Sequence, residues 1–209
     1  MCHFERSVAE SRNLPDMFTF RQFTVNDSRC AMKVGADSVL LGAWMDVSGA
    51  RRLLDAGCGS GLLALMAAQK LSEEGAPKSD PDTGAIAGNL PEFTIDAIDI
   101  DAGAVADSEA NFAASPWAGH LAAHHISLQD FAGTAPVNSY DSIFSNPPYY
   151  DDSPTSGCTS RDTARSTDTL SRTDLLFAAA KLLAPGGRLS LILPFDQGKK
   201  MILEAVCFG

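Results

Sequence analysis

Two adjacent hydrogen-bond acceptors follow a strand-like run, residues 140–144, in the segment Ser-Asn-Pro-Pro-Tyr-Tyr that ends at Tyr150. Proline has no N–H group for a sheet ladder, so the pattern predicts a strand that stops abruptly and fixes side chains at its carboxyl end. The Asn146 side-chain carbonyl and the Pro147 backbone carbonyl would suit a primary amino group on a base or an amide. Tyr149 offers a stacking face for its ring. A rigid turn without a ligand is the alternative, and the motif in isolation favours it.

A glycine-rich turn, Gly57-Cys58-Gly59-Ser60-Gly61, lies between an apolar strand that ends at Asp55 and a helical run. Such glycines permit a tight turn and a close approach of the backbone to a ligand at a helix start. The spacing differs from the dinucleotide fingerprint G-x-G-x-x-G. A carboxylate at Asp55 would repel a pyrophosphate, whereas it would suit a cationic amine or sulfonium. We therefore expect S-adenosylmethionine rather than NAD, bound by Asp55, Gly57 and Gly59.

Two later strands also end in polar residues. Residues 93–101 form an apolar strand that ends in acids, and a carboxylate at the end of the second strand accepts ribose hydroxyls in doubly wound folds. Asp99 is the first candidate and Asp101 the second, because alternation sends both side chains to one face. Residues 124–131 are interpreted as a strand followed by a loop. There Ser127 or Asp130 is predicted to contact the adenine of the cofactor, with local capping as an equally supported alternative.

A basic and an acidic residue, Lys33 and Asp37, lie close to an apolar helical run. Asp37 or Ser38 is expected to cap this helix, since short polar side chains accept hydrogen bonds at helix starts. The predicted apolar face comprises Val39, Leu40, Ala43 and Trp44. Lys33 and Asp37 are interpreted either as a solvated loop or as lid residues over the cofactor. The second interpretation makes both of them cofactor-binding residues.

Two arginines four residues apart, Arg161 and Arg165, lie in the polar segment 151–169. On a helix, both guanidinium groups would share one face. They are then a candidate phosphate clamp in an otherwise acidic protein. Pairing with acids on an exposed helix is the alternative and is equally supported.

The composition excludes several classes of protein. The 209 residues are 45% hydrophobic and 20% charged, which is typical of a folded α/β domain. No apolar run reaches the length of about 18 residues that a membrane span needs. The five cysteines are scattered, so reduced thiols and no metal site are expected. A signal-like segment is absent, which predicts a cytoplasmic protein. The net charge of −10 disfavours nucleic acid as a partner unless Lys and Arg cluster.

Strand-like and helical runs alternate along the chain, which predicts an α/β fold with a doubly wound, mostly parallel sheet and helices on both faces. Three segments are expected. Residues 1–17 form a flexible tail, 18–50 a hairpin with a lid helix, and 51–209 the cofactor-binding core. A mobile insertion is predicted at 72–91, because Pro, Gly, Ser and acidic residues dominate there.

Finer predictions concern the two ends of the chain. Residues 18–25 alternate aromatic and polar side chains and are predicted to form one strand. A turn at 26–28 would pair this strand with the next run as a hairpin. Near the carboxyl end we expect a helix over 174–183, a buried strand over 188–194 and a helix that begins at Lys199.

The sequence resembles the bacterial tRNA(Val) adenine-37 N6-methyltransferase family, which consists of class I S-adenosylmethionine-dependent methyltransferases. The resemblance covers most of the chain after the tail and is most specific in residues 23–35 and 145–150, with further similarity in 40–44, 59–66 and 115–118. It implies a Rossmann-like methyltransferase fold, S-adenosylmethionine as cofactor, a tRNA substrate and a cytoplasmic monomer.

Three positions depart from the family pattern. Relatives usually carry Glu where this chain has Asp99, and commonly an acid where it has Ser127. In the family, two more strands follow the last helix, whereas this chain ends at Gly209. We therefore expect a sheet without its carboxyl-terminal strands, and self-association if an edge is exposed.

The resemblance implies methyl transfer to the exocyclic N6 of an adenine in tRNA, adenine 37 beside the anticodon. Asn146, Pro147 and Tyr149 are then catalytic, and Asn146 also borders the cofactor. The RNA contacts are assigned to Tyr149, Tyr150, Arg161 and Arg165. Two other functions stay open. Methylation of a glutamine side-chain amide in a protein needs the same acceptors, and the domain could bind RNA or a nucleotide without catalysis.

Overall fold

A computed structural model describes residues 17–75, 92–147 and 170–208. The strands are β1 (Met17–Thr19), β2 (Thr24–Asn26), β3 (Arg52–Ala56), β4 (Thr94–Asp99), β5 (Leu121–His125), β6 (Tyr140–Ser145) and β7 (Leu183–Leu191). The helices are α1 (Ala36–Trp44), α2 (Leu62–Gly75), α3 (Ala102–Ala113), α4 (Leu128–Thr134), α5 (Arg172–Leu182) and α6 (Phe195–Ala205), and a 3-10 turn (Val206–Phe208) follows.

Five parallel strands form the sheet, in the order β5-β4-β3-β6-β7, and β1 and β2 form a separate antiparallel hairpin. A helix lies between each pair of consecutive sheet strands, as parallel pairing requires a crossover. The chain first builds outward from β3 to β5 and then returns to the other side of β3 with β6. Ligands of doubly wound sheets bind at the carboxyl ends of the strands where the order reverses. In this sheet that position lies between β3 and β6. The predicted fold class is confirmed.

The sheet separates two apolar cores. Alternation along β3 sends Leu53 into one core and Leu54 into the other, and both side chains are fully buried. The first core contains side chains of the hairpin, α1, α2 and α3, and the second contains side chains of α4, α5 and α6. β3 therefore buries apolar side chains on both of its faces, as expected for a central strand of a parallel sheet.

The hairpin differs from its prediction. Residues 18–25 do not form one strand, because the chain reverses between β1 and β2 and the Phe20 amide donates to the Phe23 carbonyl at 2.8 Å. The Phe20 and Phe23 rings stack with centroids 4.7 Å apart, and Phe23 also packs edge-on against Trp117. Aromatic and polar side chains alternate in both strands of the hairpin, so the alternation in the sequence does not show where the chain turns.

The predicted face of α1 is also wrong. Leu40 and Trp44 are 61% and 76% exposed, whereas Leu41 and the following Met45 are buried. Gly35 is the N-cap residue, and no side chain caps the helix. The run is apolar all round, so its sequence does not indicate which side packs. Packing is decided by Gly42, where an added Cβ would clash with Met66 of α2.

Two further boundaries need correction. α2 continues to Gly75, so residues 72–75 are helical and do not belong to the predicted insertion. Hydrogen bonds from Ser72 to the Ala68 carbonyl and from Gln69 to Glu73 support this last turn. Residues 76–91, the remainder of that prediction, lie outside the described part of the chain.

The strand predicted over 188–194 is β7, which begins earlier, at Leu183. It was expected to be buried, but most of its residues are partly or fully exposed. Within 188–194 only Ser190 is buried, because β7 lies at the edge of the sheet and pairs, among the described strands, with β6 alone. The last helix begins at Phe195 rather than at Lys199, directly after Pro194.

Membrane-spanning helices, metal-binding clusters and disulfides are absent from the residues that the structure describes. None of the helices there is both long enough and apolar enough to cross a membrane. No group of three or more His, Cys, Asp or Glu side chains is placed to hold a metal ion. Cys30, Cys58 and Cys207 are free thiols.

Candidate active site

A cavity of about 280 Å³ lies at the carboxyl ends of the strands. Its floor is the glycine turn after β3, and one side is formed by the end of β4 and the start of α4. Residues 30–34 and Ser38 form another side, and Asn146 after β6 borders it. The sheet order therefore brings together five chain segments that are far apart in sequence.

Hydrogen bonds from β4 and α3 hold the glycine turn in place. The amides of Gly57 and Cys58 both donate to the Ile98 carbonyl, at 2.9 and 3.0 Å, and Ser108 donates to the Gly59 carbonyl at 2.7 Å. Gly57 and Gly59 have φ angles of 74° and 55°, a region that side chains with a Cβ rarely adopt. Both glycines line the cavity.

Asp99 and Asp101 both line the cavity, but they have different local partners. One Asp99 oxygen accepts the Gly59 amide at 2.9 Å, and the other accepts the Asp101 amide at 2.9 Å. Asp101 is the N-cap residue of α3 and accepts from the Gly103 amide at 2.8 Å. Asp99 thus joins the end of β4 to the glycine turn, whereas Asp101 mainly stabilises the start of a helix.

Asp55 is fully buried and is not among the residues that line the cavity, contrary to its predicted role as an anionic wall. Burial raises the pKa of its carboxyl to about 8, a shift that the Ala64 amide opposes and Asp99 reinforces. The group is therefore mostly neutral at pH 7. Its Oδ2 accepts from the Ala64 amide of α2 at 3.1 Å, and its Oδ1 has no hydrogen-bond partner. Sequence spacing placed this residue at the correct strand end but did not reveal its burial.

The loop from Asp27 to Val34 forms the wall above the glycine turn. Asp27 is buried and accepts the Val34 amide at 2.8 Å, and the Lys33 ammonium donates to the Asp27 carbonyl at 2.7 Å. Asp107 of α3 accepts the amides of Arg29 and Cys30 at 2.7 and 3.0 Å. These contacts place Lys33 at the cavity. Asp37, the other predicted lid residue, is exposed and does not line the cavity.

Two cysteines line the cavity and were not predicted to do so. Burial, reinforced by Asp99 and Asp107, raises the pKa of the Cys30 thiol to about 12. Burial next to Asp55 likewise raises the pKa of Cys58 far above its ordinary value. Both groups are therefore neutral thiols that pack as small apolar side chains, and neither is a nucleophile at physiological pH.

Asn146 reaches the cavity directly after β6. Its Nδ2 donates to Ser38 Oγ of α1 at 2.8 Å. The preceding Ser145 is fully buried and donates to the Ala56 carbonyl at 2.6 Å, so the ends of β6 and β3 are joined. Pro147 is the last described residue of this segment. The predicted contacts of Tyr149, Tyr150, Arg161 and Arg165 lie outside the described residues.

Ser127 lines the cavity, whereas Asp130 does not. Residues 128–134 form α4 instead of the predicted loop, and Ser127 is its N-cap residue. The Ser127 hydroxyl accepts from the Asp130 amide at 3.1 Å and lies 2.7 Å from the Asp130 carboxylate. The alternative of local capping is therefore observed for this pair. Helix-start signals were present in the sequence, since Ser followed three residues later by an acid is typical of a cap.

Several lining residues were missed by sequence reasoning, and most are apolar. Ile98, Ile100, Leu128 and Leu170 form the apolar part of the lining. Apolar residues in such positions look like ordinary core residues in a sequence, so no local signal marks them. Ser38 was considered only as a helix cap.

The arrangement has a defined chemical capability. An apolar slot with Asp99 at its edge suits a nucleoside, since a carboxylate accepts hydrogen bonds from ribose hydroxyls. The Asn146 carbonyl at the far side suits a donor such as an amino group. The cavity therefore fits a nucleoside cofactor on one side and an amino substrate on the other.

Sequence comparisons agree with this geometry. Residues 83–208 match the model of the methyltransferase small domain family. The chain is 40% identical over 192 residues to the tRNA1(Val) (adenine(37)-N6)-methyltransferase of Tolumonas auensis. It is 42% identical over 185 residues to the enzyme of the same name from Parabacteroides distasonis, and 42% over 183 residues to that from Yersinia pseudotuberculosis. The matches cover 92%, 88% and 87% of this chain and 72%, 69% and 64% of those relatives.

Solved structures show the same fold at lower sequence identity. TrmN from Thermus thermophilus superposes with a TM-score of 0.53 and 22% identity, covering 80% of this chain and 40% of that one. An S-adenosylmethionine-dependent O-methyltransferase from Thermotoga maritima gives a TM-score of 0.51 at 14% identity, covering 84% and 50%. These structures support the fold alone. The family model and the sequence relatives show that the chain belongs to the tRNA1(Val) (adenine(37)-N6)-methyltransferase family.

Proposed function

We propose that this protein transfers a methyl group from S-adenosylmethionine to the exocyclic N6 of an adenine in tRNA, adenine 37. The observation that carries the proposal is the position of Asn146 at the rim of a cavity that also contains the glycine turn and Asp99. The names of the relatives supply the substrate class. Those enzymes are named for N6-methylation of adenine 37 in tRNA1(Val).

The residues of the cavity fit S-adenosylmethionine. Asp99 would accept the ribose hydroxyls, and the positive φ angles of Gly57 and Gly59 let a ligand approach their backbone closely. Ile100 and Leu128 offer apolar contacts to an adenine ring beside Ser127. The Lys33 ammonium also lines the cavity, where the Asp27 carbonyl accepts from it, and it suits the carboxylate of the methionine moiety. Asp55 contributes no charge to this set, because it is buried and mostly neutral.

When bound, S-adenosylmethionine supplies an electrophilic methyl group. The residues of this chain must then prepare the nitrogen that receives it, since the lone pair of an exocyclic amino group is delocalised into the ring. In this proposal one N–H donates to Asn146 Oδ1 and the other to the Pro147 carbonyl. Both acceptors increase the electron density on nitrogen and hold its lone pair toward the cavity. Such positioning can supply roughly 7–11 kcal/mol of a barrier.

No separate general base is needed in this scheme. Once nitrogen has gained the methyl group, its remaining protons become acidic and one passes to water. Side chains that can take up a proton near Asn146 are therefore not required for turnover. Tyr149 would stack on the adenine, a contact worth about 1–3 kcal/mol for bases on aromatic rings. The adenine must be splayed out of its loop to reach the site.

The direct test is transfer of labelled methyl from S-adenosylmethionine into tRNA from cells that lack this modification. Nucleoside analysis should find the label as N6-methyladenosine, and cleavage of the tRNA should place it at position 37. A parallel incubation with a protein extract tests methylation of a glutamine amide. Label in protein but not in tRNA would contradict the proposal in favour of that reaction. Tight cofactor binding without any transfer would favour a non-catalytic binding domain.

A further inference from the structure

Two neighbouring strands of the sheet lead into the two halves of the site. β3 ends at Ala56, directly before the glycine turn, and β6 ends at Ser145, directly before Asn146. The paired residues of these strands end at Asp55 and Phe144, one position earlier in each chain segment. Beyond this point the two segments separate, because α2 packs in the first core and α5, the next described helix after β6, packs in the second. The cavity opens where they separate.

A side-chain hydrogen bond joins the two strand ends where the backbone pairing stops. The Ser145 hydroxyl donates to the Ala56 carbonyl at 2.6 Å, and both residues are fully buried. The direction of this bond is unambiguous, since a carbonyl oxygen only accepts hydrogen bonds. Because both partners are buried, bulk water does not compete for the contact. The bond therefore connects the base of the glycine turn to the base of the Asn146 segment.

The relative position of these two segments decides the geometry of the proposed reaction. Methyl transfer requires the target nitrogen and the methyl carbon to be close together and in line. The nitrogen would be held by Asn146 Oδ1 and the Pro147 carbonyl, and the methyl donor would be held at the glycine turn. The Pro147 carbonyl belongs to the backbone, so no side-chain rotation can correct its position. Its distance from the cofactor depends on where the end of β6 lies relative to the end of β3.

We propose that Ser145 is a positioning residue, whose hydroxyl fixes the segment after β6 relative to the glycine turn and so aligns the target nitrogen with the methyl donor. This inference rests on the proposed function, because the alignment matters only if both segments hold reactants. Ser145 is not among the residues that line the cavity, so it touches neither reactant. Without its hydroxyl, the glycine turn keeps its hydrogen bonds to the Ile98 carbonyl and to Asp99. Loss of the hydroxyl therefore slows the transfer step and changes cofactor affinity little.

The kinetic test is single-turnover methylation of tRNA with saturating S-adenosylmethionine. Ser145→Ala and Ser145→Cys should both lower the rate of the transfer step about 10- to 100-fold, the range that a small misplacement of reacting groups produces. Calorimetry should find little change in the affinity for S-adenosylmethionine. Cysteine fills the space of serine, but its thiol is a weak donor, so this variant tests the hydrogen bond without leaving an empty volume. A wild-type rate in either variant would overturn the proposal.

Tyr140→Phe is the matched control for a loss of stability. It also removes one hydroxyl bond between strands, at the opposite end of β6, where Tyr140 donates to Asp96 Oδ2 of β4 at 2.6 Å. Urea denaturation measures the stability of each variant, so that rates are compared per folded molecule. The rate of Tyr140→Phe should equal that of the wild type. An equal loss of rate in Tyr140→Phe and Ser145→Ala would contradict the positioning role.

A second measurement does not depend on activity. The carbonyl carbon signal of Ala56 can be recorded by NMR through the Gly57 amide, and it moves upfield when the carbonyl loses a hydrogen bond. We expect this shift in Ser145→Ala and no shift in Tyr140→Phe. An unchanged signal in Ser145→Ala would refute the inference even if the rate falls. A wild-type protein that methylates no adenine would refute the proposed function together with the kinetic consequence of this bond, whereas the carbonyl signal would still report on the bond itself.

Discussion

Individual side chains around the cavity divide into those that face a ligand and those that fix the backbone. Ser108 and Ser145 belong to the second group, because both hydroxyls donate to carbonyls of the segments that form the floor. Asn146 and Asp99 belong to both groups, since each has a local hydrogen bond and also lines the cavity. Substitutions at these two positions should therefore separate catalysis from cofactor binding.

Asn146→Ala should abolish methyl transfer to tRNA and leave the affinity for S-adenosylmethionine nearly unchanged. The substitution removes an acceptor for the target amino group but leaves the glycine turn and Asp99 in place. Radiometric assay measures the transfer and calorimetry measures the cofactor affinity. A large loss of cofactor affinity would contradict the role assigned to this residue.

Asp99→Ala should weaken cofactor binding much more than Asp101→Ala. The Asp99 carboxylate is the proposed acceptor of the ribose hydroxyls and also holds the Gly59 amide, whereas the Asp101 carboxylate caps α3. Loss of a helix cap costs about 0.5–2 kcal/mol of stability. Calorimetric titration and urea denaturation of both variants distinguish the two roles. If Asp101→Ala caused the greater loss of affinity, Asp101 and not Asp99 would be the acceptor of the ribose hydroxyls.

At the scale of elements, α3 connects the amino-terminal hairpin to the glycine turn. Asn111 donates to the carbonyls of Asn26 and Ser60, at 2.8 and 2.9 Å, and accepts the Asn26 amide at 2.9 Å. Phe112 of the same helix lies against Gly61, where an added Cβ would come within 2.5 Å of the ring. A single helix thus anchors both the hairpin and the glycine turn that forms the floor of the cavity.

Gly61→Ala should destabilise the fold by about 2–5 kcal/mol, because it combines strain at a positive φ with overpacking against a ring. The φ angle is 77° and the ring of Phe112 is enclosed by the core. Gly119→Ala is the matched control, since nothing lies within 4 Å of its added Cβ. Urea denaturation of both variants measures the difference. Equal stability would show that the turn can relax.

The order of elements could be predicted from sequence because its signals are local. The glycine turn, the strand that stops at Asn146-Pro147 and the alternation of strand-like and helical runs were all recognised, and the predicted fold class and family are confirmed. The errors concern features that depend on distant partners. The face of α1 is set by Met66, and the edge position of β7 is set by the strand order, neither of which is encoded in the local pattern.

The candidate site was predicted less completely than the fold. Lys33, Gly57, Gly59, Asp99, Ser127 and Asn146 line the cavity, whereas Asp37 and Asp55 do not. Spacing alone places a residue at a strand end, but it does not show whether the side chain points into the cavity or into the helix layer. Asp55 points into that layer, which is why a carboxylate expected to be charged is mostly neutral. The RNA contacts stay predictions.

At the scale of the whole molecule, the buried carboxyl of Asp55 makes stability depend on pH. Its pKa rises from the ordinary 3.8 to about 8 in the folded protein. The folded form thus holds a proton that the unfolded chain has already released, so the stabilisation is fully present below about pH 4 and is lost as pH rises through about 8. The change has an upper limit of about 6 kcal/mol, since each pH unit in that interval contributes at most about 1.4 kcal/mol.

Asp55→Asn should flatten this pH dependence, because asparagine does not titrate and still offers a carbonyl to the Ala64 amide. Urea denaturation between pH 5 and pH 9 gives the free energy of unfolding for both proteins. As pH rises, we expect the free energy of unfolding of the wild type to fall relative to that of the variant. Parallel curves for wild type and variant would show that Asp55 does not titrate in this interval.

Self-association is a further expectation for the whole molecule. β7 is an edge strand of the described sheet, and α6, which follows it in the chain, exposes Ile202 and Leu203, which are 69% and 72% accessible. Unpaired edges and apolar surface favour pairing with a second copy. Sedimentation should show a mass that rises with concentration, and Leu203→Lys should reduce the increase. A monomer at all concentrations would contradict this expectation.

The anchoring of the hairpin by α3 has a consequence for how the protein matures on the ribosome. The backbone partners of Asn26 and Arg29 are side chains at positions 111 and 107, so the contacts span 85 and 78 residues of chain. The amino-terminal segment leaves the ribosome early but cannot dock until β4 and α3 have followed it. During that delay its aromatic side chains are exposed to water and to other chains. Nascent-chain proteolysis should therefore find the hairpin cleavable until α3 has emerged and protected soon afterwards.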